Sequence, residues 1–398
     1  METLKAKVKR ATLWPAAAVA CGATAYYALS RLVVAWWSYS PITIYGFPWR
    51  GRFEAYARWD AAWYYHIAQK GYYYDGPGVQ SAVAFFPAYP TAMRATEILT
   101  GDIMVAGVIV TTFAAAGAMV LLHRWTSAML GAAVAPLTVG LMLVFPYSYY
   151  LLGVIYSDAL FLAAAVAAFL LLELRRPWLA ALAGAIATSG RPVGLALSFG
   201  LIVRSLEIHG VIVTGRYILG RVPSLQLDIH KLGIRALAPA ASLGGICAYS
   251  ALLWWRFGEP LAFMKVGNAP TWNRDISLRT VVKVDFWQTV TAGEVTVELM
   301  TTTTSAVLTL IALALLPKVL RTLGPGYFSY CALVVGIPML TAPAFLGMGR
   351  YLLAAFPIYA VAAHTLGRHT KIAAGAIAVS AASLMGMSTL FIRGYLLA

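Results

Sequence analysis

Hydrophobic positions along this chain fall in runs of about 16 to 25 residues, long enough to cross a bilayer as helices, and not in the narrow stripes of water-soluble helices. The runs are Thr12 to Ser38, Ile103 to Leu122, Ser127 to Phe145, Tyr156 to Leu174, Ala236 to Trp255, Leu299 to Leu316, Tyr327 to Ala342, Tyr351 to Leu366 and Ile372 to Ile392. One stretch departs from this pattern. "RRPWLAALAGAIATSGRPVGLALSFGLIVRS", Arg175 to Ser205, is basic at both ends and interrupted by "TSGRPVG". Each apolar arm, about eleven residues long, rises roughly 16 Å, about half of a hydrocarbon core. The segment therefore reads as a re-entrant hairpin with its tip at Thr188 to Gly194. One long kinked helix is the alternative, and it would carry Arg204 to Arg235 to the other side of the membrane. With the hairpin, the pattern predicts an all-α polytopic membrane protein of about eleven helical membrane segments. Two long loops, Pro41 to Gly101 and Phe257 to Glu298, then face the same side.

Composition agrees with this. The chain has 398 residues, 61% of them hydrophobic and 11% charged, with a mean hydropathy of +0.74, far from the balance of soluble domains. No soluble unit separates from the rest, so residues 1–398 read as one transmembrane domain. The net charge of +15 is spread over short links and forms no tract suited to nucleic acid. Lys5, Lys7, Lys9, Arg10, Arg124, Arg175, Arg176, Arg204, Arg216, Arg221, Lys231, Arg235, Lys318, Arg321, Arg368 and Lys371 fall on one side, with only Glu2, Glu173, Glu207 and Asp228 among the acids. The excess of Lys and Arg in short loops places that side, and the N-terminus, in the cytoplasm. The expected location is the cell membrane, with both long loops outside. Cys21, Cys247 and Cys331 each lie in an apolar run and suggest no disulfide framework.

Chemistry must then sit in the outer loops or at helix ends facing them. "RWDAAWYYHIAQKGYYYDGPG", Arg58 to Gly78, concentrates charge and aromatic rings directly after the first apolar run. If Arg58 to Lys70 is helical, Trp59, Trp63, His66, Ile67 and Lys70 share a face, which predicts a helix lying in the interface with its rings at headgroup depth. Asp60 falls in the first turn, where the macrodipole favours a carboxylate. A cap, or a partner for Arg58, is its plain structural role. "AFFPAYP", Ala84 to Pro90, follows as a stiff uncharged lead into the next helix. Asp75, in "YYYDGPG", reads as a turn former.

"RWDAAWYYHIAQKGY" followed by "AFFPAYP" resembles the first-loop signature of the GPI mannosyltransferase II (PIG-V-like) family, within the membrane glycosyltransferase class called GT-C. "FPYSYYLLGVIYSDALF", "ATSGRPVGL" and "GRYLLAAFP" resemble later motifs of that family, although Asp158 stands where many relatives carry a glutamate. The resemblance implies a GT-C bundle that transfers mannose from a polyprenyl-phosphate mannose donor to a hydroxyl of a lipid-linked glycan or glycolipid at the outer face. It implies Asp60 as the single general base of an inverting reaction. Arg191 and Arg350 suit the donor phosphate, because guanidinium groups offer bidentate donors that stay charged. Arg58, Trp59, His66, Asp158 and Tyr351 complete the candidate substrate-binding set. An arginine deep in the membrane needs an anion or water. "ATSGRPVGLALSFG" supplies no acid, so the donor phosphate is the expected partner of Arg191.

No His, Cys or carboxylate cluster has metal-ligand spacing and no nucleotide-binding loop is present, so neither a metal nor another cofactor is expected. "KVGNAPTWNRD", Lys265 to Asp275, is a candidate cover for the donor. Two other functions fit parts of the pattern. A transporter or flippase of lipid-linked sugar also uses broken helices with a mid-membrane charge, but it predicts charged sites along a through-path. A GT-C enzyme with another acceptor, such as one performing protein O-mannosylation, shares the donor chemistry.

Overall fold

A computed structural model describes residues 12–36, 53–214, 225–269, 272 and 276–395. Residues 1–11, with the basic start of the chain, lie outside the described part, as do residues 37–52 of the first loop. Arg216, Arg221 and residues 270–271 and 273–275 of "KVGNAPTWNRD" do so too.

The described chain is helical apart from a small antiparallel ribbon in which Ile212–Thr214 pairs with Leu225–Leu227. It is a multi-pass membrane protein. Among the described residues, five helices are long and apolar enough to span a bilayer: Trp14–Ala35, Ile103–Met129, Ile234–Phe257, Val297–Leu323 and Thr370–Ile392. Shorter apolar helices fill in between them, including Asp158–Glu173, Pro325–Thr341 and Phe356–Leu366. Local chemistry sets several boundaries. Asp102 accepts from the backbone N–H groups of Met104 (2.7 Å) and Val105 (3.2 Å) and so starts the Ile103–Met129 helix. Pro177 and Pro325 occupy first-turn positions that need no N–H.

Asp158–Glu173 is buried on nearly every side, as a helix apolar all round should be. At 1.5 Å per residue it is about 24 Å long, and it links two ionic clusters. At its far end Glu173 receives Arg204 Nε at 2.7 Å and Nη2 at 3.2 Å, plus the Tyr327 hydroxyl at 2.9 Å. Glu207 accepts from Gly326 N at 3.0 Å at the same level. Its near end, at Asp158, carries the candidate site.

The interrupted stretch forms two helices, Pro177–Thr188 and Gly194–Ile208. Its two ends meet, since Arg175 Nη1 donates to Ile208 O at 2.8 Å. The stretch is therefore a hairpin and not one kinked helix. Its arms are longer than expected, and its base is tied to Glu173 through Arg204 while its tip reaches Asp158 through Arg191. Arg191 thus stands level with the near end of the buried helix. Close packing makes room for this. A Cβ on Gly245 would lie 2.0 Å from Ala185 O of the hairpin, so only glycine permits the approach.

Two other expectations change. The run from Ser127 to Phe145 is not one helix: the preceding helix continues to Met129, and Ala135–Leu143 has only nine residues before a 3-10 turn at Ser148–Leu151. The run from Tyr351 to Leu366 divides into Met348–Leu352 and Phe356–Leu366.

Candidate functional site

Four charged side chains, each on a different element, form one network. Asp60 sits at the cap position of the Ala61–Lys70 helix, and its carboxylate makes no hydrogen bond to that helix. It turns instead to Arg350, whose Nη1 donates to Asp60 Oδ2 at 2.6 Å. Arg350 Nε donates to Asp158 Oδ2 at 3.0 Å, and Arg191 Nη1 donates to Asp158 Oδ1. Two carboxylates and two guanidinium groups cancel in formal charge, which lets the group be buried. Access differs sharply among them. Asp158 exposes 1% of its side chain, Arg191 9%, Arg350 11% and Asp60 31%. Asp60 is the member that solvent or a ligand reaches.

Tyrosines form the walls. The Arg350 guanidinium carbon lies 4.4 Å from the Tyr156 ring centroid and 5.1 Å from that of Tyr150, a cation–π arrangement that strengthens when water is excluded. Arg191 stands 5.7 Å from the Tyr351 ring. The Tyr156 hydroxyl accepts from Asp60 N at 3.0 Å and donates to Arg58 O at 3.0 Å, which fixes the backbone under the acid. Arg350 arrives through an unusual turn. Ala344, Phe345 and Gly347 have φ of 47°, 59° and 75°, and a Cβ on Gly349 would lie 2.1 Å from the Tyr147 ring. Non-glycine residues in this region store backbone strain.

Of the residues expected from the sequence, Asp60, Asp158, Arg191, Arg350 and Tyr351 come together. The acid missing from the Arg191 segment is Asp158, 33 residues earlier, so Arg191 does not depend on a donor phosphate for its counter-ion. Arg58 and Trp59 serve a different contact. Arg58 Nη2 donates to Ile392 O and Trp59 Nε1 to Tyr395 O, both at 3.2 Å, tying the loop to the last helix. Burial draws the Arg58 guanidinium down to about 10, still charged at neutral pH.

The face expected to carry the interfacial rings packs partly on protein. Trp63 and Ile67 are buried, and Trp63 stacks on Phe85 with ring centroids 5.5 Å apart, so this face packs on protein. His66 meets Tyr73 edge-on at 5.1 Å. Burial, then the Lys70 ammonium, hold its imidazole below the ordinary value. Asp75 is exposed and its N–H donates to Ser81 Oγ at 3.1 Å, beside glycines 76 and 78 at positive φ, in keeping with a turn. Tyr150 and Tyr156 were not singled out from the sequence, although both lie in "FPYSYYLLGVIYSDALF".

No family model matches the chain, and no curated protein matches it either. Among the described residues no three His, Cys, Asp or Glu side chains gather as a metal-binding group. The arrangement offers a reachable carboxylate beside two guanidinium groups and three tyrosine rings. Such a set can accept a proton at Asp60 while holding an anion nearby.

Proposed function

We propose that this chain is a membrane-embedded glycosyltransferase that moves mannose from a polyprenyl-phosphate mannose donor to a hydroxyl of a lipid-linked glycan. The observation that carries this reading is the placement of Asp60, the solvent-reaching member of a network otherwise buried among arginines and tyrosines. In the reaction, the acceptor oxygen attacks the anomeric carbon opposite the phosphate, inverting it, and Asp60 takes the hydroxyl proton. The anomeric C–O electron pair leaves with the phosphate. That anion needs no general acid, unlike the leaving group of glycoside hydrolysis. Arg350 and Arg191 are placed to stabilise it.

The finer fold belongs to the same proposal: a GT-C bundle of about eleven helical membrane segments, with the site at the outer face of the cell membrane. The sidedness of charge supports this. Arg175 and Arg176 lie at the Glu173 end with the base of the hairpin, away from the network. The test is transfer by purified protein in liposomes, supplied with radiolabelled polyprenyl-phosphate mannose and membrane glycolipid. Asp60→Asn is expected to insert normally and lose roughly 10²- to 10⁴-fold in rate. Turnover near wild type in that variant removes Asp60 from the base role, and no labelled lipid from wild type removes the reaction.

A further inference from the structure

Every charge in the network is already matched, and this constrains how an anionic donor can enter. A phosphate arriving beside Arg350 must compete with a carboxylate for its guanidinium. The two acids are not equivalent. Asp158 is 1% exposed and held by both Arg191 and Arg350. Asp60 is 31% exposed, is held by Arg350 Nη1, and is not anchored to the N–H groups of its own helix. Its backbone, in contrast, is fixed by Tyr156. The side chain can turn while its base stays in place.

Resting on the mannosyl-transfer reading, we infer that the Arg350–Asp60 ion pair is a lock that the donor phosphate opens. The phosphate takes Arg350 Nη1, and Asp60 Oδ2, until then occupied by that N–H, joins the other carboxylate oxygen as a proton acceptor. The charges balance through the step: the donor phosphodiester and Asp60 each carry one negative charge at the start. At the end Asp60 is protonated and neutral, and the polyprenyl phosphate has gained the electron pair of the broken C–O bond, leaving two negative charges on it. When Asp60 loses its proton to water it competes again for Arg350, which helps to expel the spent lipid.

The lock predicts a gain where a general base alone predicts none. Removing the Asp60 charge should make the protein bind phosphate lipid more tightly, because Arg350 no longer has to be taken from a carboxylate. The experiment measures binding of polyprenyl phosphate to purified wild type, Asp60→Asn and Asp60→Ala, with polyprenol as the phosphate-free control. The expected result is an affinity about tenfold higher in both variants, the size of one exchanged charge-assisted contact, and equal binding of polyprenol by all three. Unchanged or weaker phosphate-lipid binding in the variants, with wild type binding measurably, overturns the lock and leaves the transfer reading standing. No polyprenyl phosphate binding by any of the three overturns the transfer reading itself. Two variants of different shape guard against a fold defect, since a merely structural ion pair lowers the unfolding temperature without raising affinity.

Discussion

Asp158 and Asp60 share one arginine, yet burial gives them different weight in the folded protein. Removing the Asp158 charge leaves Arg191 and Arg350 short of a counter-ion where water hardly reaches, a type of loss that costs about 3 to 5 kcal/mol. Asp60 is nearly a third exposed, and pairs of that kind contribute about 0 to 1 kcal/mol. Asp158→Asn should therefore lower the thermal unfolding temperature in detergent markedly, whereas Asp60→Asn should barely move it. Equal shifts in the two variants would contradict this ordering. The four charges could be picked out of the sequence because a charge in so apolar a chain is conspicuous. Their pairing could not. Arg350 is 290 residues from Asp60 and 192 from Asp158, separations that only the fold closes. Tyr150 and Tyr156 escaped notice because a buried ring in an apolar run looks like ordinary core.

Among the elements, the hairpin was legible since Gly190, Pro192 and Gly194 break a run whose two ends are basic. The turn before Arg350 was not, because Ala344 and Phe345 give no sign of a positive φ. Its support comes from the second loop. Lys283, itself at φ 61°, donates through Nζ to Ala342 O at 2.6 Å and to Met339 O, closing the end of the Pro325–Thr341 helix. Phe286 packs edge-on against Phe345 at 5.3 Å. The helices Leu278–Val282 and Val284–Thr291 thus grip the turn that presents Arg350, while Leu278 and Trp287 point outward, as expected of a loop lying at the membrane interface. Lys283→Met keeps the apolar stem and deletes the ammonium. It should reduce transfer about tenfold, mainly through a higher KM for donor, in line with the ~1.5–3 kcal/mol of charged hydrogen bonds. Steady-state kinetics check this, and an unchanged donor KM would detach the loop from the site.

At the scale of the whole molecule, the Asp158–Glu173 helix separates two ionic clusters, and Arg175, Arg176 and Arg204 lie at the Glu173 end. In a background with the exposed Cys21 and Cys247 replaced, single cysteines at the exposed positions Arg176 and Arg235 should react with a membrane-impermeant maleimide only from the cytoplasmic side. One at exposed Asp75 should react only from outside. Labelling of Arg176 and Arg235 from opposite sides would break the parity that the hairpin restores. The multi-pass membrane character was readable from the runs of apolar residues, but the short Ala135–Leu143 helix was not, because its flanks are equally apolar. The pairing of charges in place in the Asp60–Arg350–Asp158–Arg191 network has an electrical consequence. A transmembrane voltage does about 2.3 kcal/mol of work per 100 mV on each elementary charge carried across, but none on groups that exchange partners without moving along the field. Transfer in sealed proteoliposomes should run at the same rate with a potassium diffusion potential of either sign as with none, whereas a carrier moving an anionic lipid through the bilayer would speed up in one polarity and slow in the other.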